Sequence, residues 1–447
     1  MQCSANKLKP FVIIPPTQQI ICTLNPKIVV TFHPYLQPMK FFKLTLIAIT
    51  AIAFTACNSG NGVIQNQKDT IAVTDSANPV ALQQVTNVAH FPIETKSAPD
   101  STHRLFVSDL SGKIFVLSNG IAMPAPFLDI SSRLENRDSA PNIRGMYSMA
   151  FHPQFATNRK LYVCYNAPTK IDSNVCKMVV SEFTVSATNP NVVDVTTERR
   201  VFEAEGHTIQ NDPGEITFGP DGYLYISVGD NGTPMNDRHA EEMNSYLGKL
   251  LRIDVSALPY KVPADNPFIG QKNVKPEIWA YGLRRFWRYS FDNLTHQLMG
   301  GDIGDKLEEE VDIITKGGNY GWPFVEGDTV RVRRDSVSLA GIIPPVITYR
   351  RNEGICAIGG STYYGKAIPH LAGKYIFADF SGSIFSLTKN GQQWVRQRLA
   401  VQNKPESPLI INSFNIDENN EMYLSGTLNT KEGSKGVVYK IAPAKQG

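Results

Sequence analysis

The sequence predicts an all-β protein of the propeller kind, and three observations carry that prediction. Short aromatic and β-branched runs recur at Arg104–Asp109, Lys113–Leu117, Lys160–Tyr165, Tyr223–Val228, Lys374–Asp379, Ser383–Leu387 and Glu421–Ser425. Such runs suit a pleated, half-buried surface. Tight turns precede many of them, as in Pro220-Asp221-Gly222 and Phe380-Ser381-Gly382, the turn chemistry that joins successive antiparallel strands. Long helices do not alternate with the runs, which favours radially arranged four-stranded sheets over a parallel α/β fold.

One segment, Arg238–Leu251 with Gly248 near its end, reads as a helix in a connection between blades. The run Gly436–Ile441 is expected to close the fold by pairing near the N-terminal blade. The β-domain is expected to span residues 81–443.

A chain of 447 residues with 42% hydrophobic content can bury a large core. Its formal charge of +3 is dispersed over short segments, and no basic run interleaved with aromatics marks a nucleic-acid surface. Met39-Lys40-Phe41-Phe42-Lys43 gives a basic start, and Leu44–Phe54 follows as an apolar segment well short of the roughly twenty residues of a membrane span. Phe54-Thr55-Ala56-Cys57 resembles the lipobox of bacterial lipoproteins. That likeness implies a signal peptide over 39–56, lipidation of Cys57 and anchorage at the cell envelope.

Residues 57–80 read as a flexible polar linker. Residues 1–38, with Pro15-Pro16 and no periodicity, read as an upstream extension ahead of a true start at Met39. Cys164 and Cys176 flank a turn-rich stretch; three buried thiols, counting Cys356, are expected over a hairpin disulfide.

Four phrases then narrow the fold class to a family. They are Arg144–Phe155, containing Ala150-Phe-His-Pro153; Thr217–Asp230; Leu247–Asp254 with Pro276–Arg284; and Gly301–Asp305 through Glu309–Ile314 to Gly317-Gly-Asn-Tyr-Gly-Trp-Pro323. In this order they are similar to the glucose/sorbosone dehydrogenase family. The resemblance implies a six-bladed β-propeller. It also implies oxidation of a sugar's C1 hydroxyl by hydride transfer to pyrroloquinoline quinone (PQQ) held beside calcium.

What the resemblance implies about residues is specific. Arg284 matches the cofactor-binding arginine, suited to a cofactor bearing several carboxylates. Arg285 stands where relatives carry asparagine, and Tyr364 stands before Gly365 where a basic residue is common. The loop Asp302–Asp305, through Gly304 and Asp305, would offer backbone carbonyls to calcium.

The catalytic base is where the pattern departs. Asn211 falls on the family's histidine, and an asparagine cannot take a proton at neutral pH. Asp212 and His207 are titratable neighbours that could serve only in a re-registered loop, which Pro213 favours. His152 reads as a structural turn residue. The run Glu308-Glu309-Glu310 reads as structural rather than hydrolytic.

Two readings follow. One is an envelope quinone-dependent sugar dehydrogenase that passes electrons to a separate acceptor, since no Cys-x-x-Cys-His haem motif is present. The other is a propeller without catalysis that binds a carbohydrate or a protein. Fold alone does not separate them, because function belongs to the site.

Overall fold

The computed structural model describes residues 73–134, 145–169, 175–208, 214–230, 239–258, 260–331 and 338–445. The signal segment, Cys57, Asn211 and Asp212 lie outside the described residues.

The fold is all-β and propeller-like. β1 (Val73–Thr86) opens the described chain. β2 (Pro92–Ser97), β3 (Leu105–Asp109), β4 (Lys113–Ser118) and β5 (Ile121–Ala122) form one antiparallel sheet, with β6 (Leu128–Asp129) paired to β4. β7 (Met146–Phe151), β8 (Lys160–Ala167), β9 (Val175–Val185) and β10 (Val193–Thr208) form the next. β11 (Ile216–Phe218), β12 (Leu224–Val228), β13 (Lys249–Ile253) and β14 (Ile278–Tyr281) follow.

Then come β15 (Phe286–Phe291), β16 (Leu298–Asp302) and β17 (Glu308–Ile314), with a small ribbon of β18 (Val325–Glu326) and β19 (Thr329–Val330) before β20 (Ile347–Arg350) completes that sheet. β21 (Ala357–Thr362), β22 (Tyr375–Asp379), β23 (Ile384–Asn390) and β24 (Gln393–Gln402) share an eight-stranded sheet with β25 (Leu409–Ile416), β26 (Met422–Thr430) and β27 (Gly433–Pro443). In it β1 lies between β24 and β27.

The inner strands are buried on both faces and read as apolar runs rather than strict alternations; every residue of β7 and of β12 is buried. Apolar side chains lock each sheet to the next. Phe106 of β3 meets Phe151 of β7 edge-to-face at 4.8 Å. Val180 and Phe202 pack with Ile226 and Leu251, Tyr225 with Phe286 and Tyr289, and Tyr349 with Phe377 and Phe385. Val438 of β27 packs with Val107 and Leu117, so the last sheet contacts the first.

The first strand of each group is also joined to its neighbours by hydrogen bonds. The Met149 amide donates to Glu94 at 2.8 Å, the Ile216 amide to Ser148 Oγ at 3.1 Å, and the Glu215 amide to the Trp287 carbonyl at 3.0 Å. Ser290 Oγ donates to the Gly360 carbonyl and Asn412 Nδ2 to the Pro92 carbonyl, both at 2.9 Å.

Two expectations need correction, and a third, the closing strand, is met. His239–Gly248 is a series of turns, and Lys249 begins β13. Gly248 has φ +69 and cannot be part of a helix, while Lys249–Ile253 is buried throughout between β12 and β14. Tertiary pairing has overridden the local helical pattern. Residues 73–80, expected within a linker, instead open β1, which starts at Val73 and pairs in parallel with β24. The segment Gly436–Ile441 lies in β27 and pairs antiparallel with that same β1, from Val80↔Pro443 to Thr86↔Val438.

Cys164 and Cys176 are not bridged: Cys164 lies opposite Val180, and Cys176 opposite His207.

Because β1 joins two otherwise separate strand groups, Val80, which is fully buried, tests that closure. Val80→Asp places an unpaired charge in the core and is expected to cost about 4 kcal/mol, read as a lower urea midpoint with two-state unfolding retained.

Candidate functional site

The chain turns sharply at Tyr281-Gly282-Leu283-Arg284 to enter β15, and Gly282 at φ +72 makes that turn possible. Asp302, at the end of β16, fixes the turn: its two carboxylate oxygens accept from the amides of Arg284 (2.8 Å) and Arg285 (2.6 Å). Arg284 and Arg285 therefore sit together at one mouth of the ring of first strands.

The loop after β16 carries the decisive geometry. Arg284 Nη1 donates to the carbonyls of Ile303 (2.8 Å) and Gly304 (2.6 Å). Arg351 Nη2 donates to the carbonyls of Gly304 and Asp305, both at 2.7 Å. Arg331 pairs with the Asp305 carboxylate at 2.8 Å and with Glu326 at 3.2 Å. Arg331 and Arg284 stack on Trp322 with guanidinium-to-centroid distances of 4.4 and 5.3 Å. The Glu326 carboxylate accepts from the amides of Asp305, Lys306 and Leu307.

These residues do not fit calcium at Gly304 and Asp305. The carbonyls a hard cation would need face guanidinium groups, and a divalent ion there would stand against three positive charges. Arg284 is likewise committed to its own loop rather than open to a cofactor.

Arg285 differs. Its side chain makes no hydrogen bond among the described residues, and it lies over Trp287 at 4.8 Å. It borders a cavity of about 160 Å³ with Phe91, Ile93, Trp287, Ile303, Ile358 and Phe380, joined by Asn412 and Cys356. Burial pushes the Cys356 thiol up to about 12, which keeps it protonated and unreactive.

Tyr364 is not part of this mouth. It follows β21, and its hydroxyl donates to Asp292 at 3.0 Å, while Asp292 follows β15. The length of β15 separates it from Arg285 by about 20 Å. The resemblance suggested proximity, but strand direction puts the two residues at opposite ends. His207 belongs to β10 and pairs in register with Cys176.

His152, outside β7, accepts from the Gln154 amide at 3.0 Å and has its pKa lowered by burial, as a turn residue should.

Sequence reasoning missed Arg331, Arg351, Glu326 and Trp322. Trp322, Glu326 and Arg331 come from the connection between β17 and β20 and Arg351 from just after β20, and only the fold brings them onto the 303–305 segment. It also missed the acidic set Asp302, Glu310 and Asp312, whose ligand atoms lie within 4.8 Å of one another. Burial raises all three carboxyls, Asp302 to about 7; repulsion from Asp230 adds to it at Asp302, and repulsion within the set adds to it at Glu310 and Asp312. Asp312 Oδ2 accepts no hydrogen bond among the described residues. Among those residues this set, rather than the loop carbonyls, offers oxygen ligands of the type a hard cation takes.

Glu309 supports the loop from beneath. It accepts from the amides of Gly304 and Ala357 and pairs with Arg351 at 2.9 Å; burial still pushes its carboxyl up to about 8. Lys249 anchors the turns on the other side, donating to the carbonyls of His239 (2.8 Å), Ala240 (2.9 Å) and Leu247 (2.8 Å).

The glucose/sorbosone dehydrogenase family matches residues 89–405. The HIPL1 protein of Arabidopsis thaliana is 29% identical over 88% of this chain and 67% of its own length. Mouse Hedgehog-interacting protein is 28% identical over 83% of this chain. The chain spans only about half of the latter's length, 53%.

Among solved structures, the soluble aldose sugar dehydrogenase of Escherichia coli aligns with a TM-score of 0.66 at 20% identity, covering 82% of this chain and all of the other. The PQQ-bound aldose sugar dehydrogenase of Streptomyces coelicolor aligns with a TM-score of 0.60 at 18% identity, over 81% and 98%. Those two likenesses establish the fold.

Two measurements check this geometry. Arg351→Leu leaves Glu309 and the Asp305 carbonyl without their cation and is expected to cost about 3 kcal/mol, seen as a lower denaturant midpoint. Burial also lowers Lys249 to about 7 from 10.5. In the window between those values the unfolded chain holds a proton that the folded chain lacks. Stability from this group is therefore present above pH 10.5 and is lost as pH falls toward 7. Lys249→Met is expected to remove that part of the pH slope in urea titrations. With the geometry and the sequence match in agreement, this chain belongs to the glucose/sorbosone dehydrogenase family.

Proposed function

We propose that this chain is a recognition member of its family, a six-bladed propeller held at the cell envelope through Cys57, which binds a ligand at the Arg285 mouth rather than oxidising it. The observation that carries this reading is the occupation of the Ile303, Gly304 and Asp305 carbonyls by Arg284 and Arg351. Calcium-assisted quinone chemistry would require those atoms for a metal. Asn211, in the base position, supports the same reading, because it cannot accept the hydroxyl proton.

The count of six blades rests on the strand path. Four groups contribute four successive strands, a fifth is β15, β16, β17 and β20, and β1 supplies the fourth strand beside β25, β26 and β27. The ligand expected at the mouth combines an anionic group for Arg285 with a flat or apolar body for the slot beneath Trp287. An acidic carbohydrate or an acidic, aromatic protein segment has that character. Relatives such as Hedgehog-interacting protein, named for an interaction rather than a reaction, support binding as a use of this scaffold.

A second reading, a PQQ-dependent sugar dehydrogenase with a separate electron acceptor, is favoured by one observation. An unpaired Arg285 above an apolar slot suits one carboxylate of a planar quinone.

The test is reconstitution of the purified protein with PQQ and calcium, with quinone absorbance followed as aldoses are added. No reduction is expected. Reduction by any aldose would overturn the recognition reading. If PQQ binds without being reduced, Arg285→Gln is expected to weaken it roughly tenfold or more, whereas Tyr364→Phe should leave it unchanged.

A further inference from the structure

The opposite end of the ring of first strands holds a second cavity, of about 180 Å³, and its wall differs in kind from the arginine mouth. Lys96 of β2 reaches it from below. The Lys96 ammonium lies 3.0 Å from Glu94 and in contact with Glu215, two carboxylates that are 0% and 1% exposed. An ammonium has three donors, so one remains for the cavity. Arg288, fully buried, adds a second positive charge beside Glu94.

Two buried carboxylates are thus matched by two cations. A balanced wall of this kind gives neither an anion nor a cation a net attraction, and it selects for a neutral ligand.

Apart from that one Lys96 donor, the polar groups that remain open are hydrogen-bonding and uncharged. The hydroxyls of Ser361 and Thr217 line the cavity and have no hydrogen-bond partner among the described residues. Asn415 accepts through Oδ1 from Ser413 Oγ at 3.0 Å and from the Thr95 amide at 3.5 Å, and its Nδ2 has no hydrogen-bond partner among the described residues. Phe218 and Phe291 supply flat apolar walls. Several neutral donors and acceptors set between aromatic faces match a small polyhydroxylated molecule, whose hydroxyls and C–H faces alternate. The volume, below that of a drug-sized pocket, holds a single ring.

We propose that this cavity is a binding site for a neutral polyol or monosaccharide, separate from the arginine mouth and independent of the reading given above.

The probe is D-glucose, titrated into the purified full chain by ligand-observed saturation-transfer NMR, with inorganic phosphate and calcium as charged controls. Saturable binding with a dissociation constant on the order of 1 mM is expected for so small a ligand. It should weaken roughly fivefold in Ser361→Ala and again in Thr217→Val, and stay unchanged in Arg285→Gln. Thr217→Val preserves side-chain shape, so it keeps the test valid if Ser361→Ala proves unstable by thermal melting.

Absence of saturable binding to the intact protein would overturn the proposal. So would binding indifferent to both substitutions, binding lost in Arg285→Gln, or competition by phosphate or calcium.

Discussion

Arg288 is the interaction on which the rest of this structure depends. It is fully buried where the first strands of the sheets converge. Its Nη2 donates to the carbonyls of Ile93 and Tyr147, each at 2.9 Å, tying β15 to β2 and β7. The cost of burying that charge is offset by nearby Glu94 and by the Trp287 ring at 4.5 Å. Glu94 in turn accepts from Met149 and, with Glu215, encloses Lys96. A chain of charge pairs therefore crosses the centre of the fold, where apolar packing alone would not set the register of converging strands.

That centre separates two ends with different chemistry. At one, Arg284, Arg285, Arg331 and Arg351 gather around a loop whose carbonyls need donors. At the other, the positive charge of Lys96 is spent on buried carboxylates, and neutral groups face the cavity. At the arginine end, guanidinium groups do what a metal ion does in a calcium loop, holding several carbonyls in one orientation. The scaffold is that of the sugar dehydrogenase family, and function on it is decided by the residues at its two ends.

Much of the architecture was legible in the residues. Runs such as Lys113–Leu117 and Tyr223–Val228 became β4 and β12 because aromatic and β-branched side chains, together with Asp-Gly and Ser-Gly turns, act locally. The Gly436–Ile441 run became part of β27 for the same reason. The 239–251 segment misled because its helical composition is local too, whereas its pairing with β12 and β14 is not. Arg284 and Arg285 were found through a motif, but their unequal availability was not, since neither residue's partners are close in sequence. Tyr364 was misplaced because a match to a phrase carries no information about which end of a strand it follows.

The sequence by itself determined that the chain is all-β, which family it belongs to, and where many of its strands fall. These are properties of composition, spacing and local turn chemistry. Only the tertiary structure decided that β1 would join two strand groups, that Arg351 and Arg331 would arrive from distant loops to occupy the 303–305 segment, and that Lys96 would be neutralised between Glu94 and Glu215. Each of those outcomes is a meeting of residues far apart in sequence, fixed by strand pairing and by the need to match every buried charge, and neither constraint exists until the chain has folded.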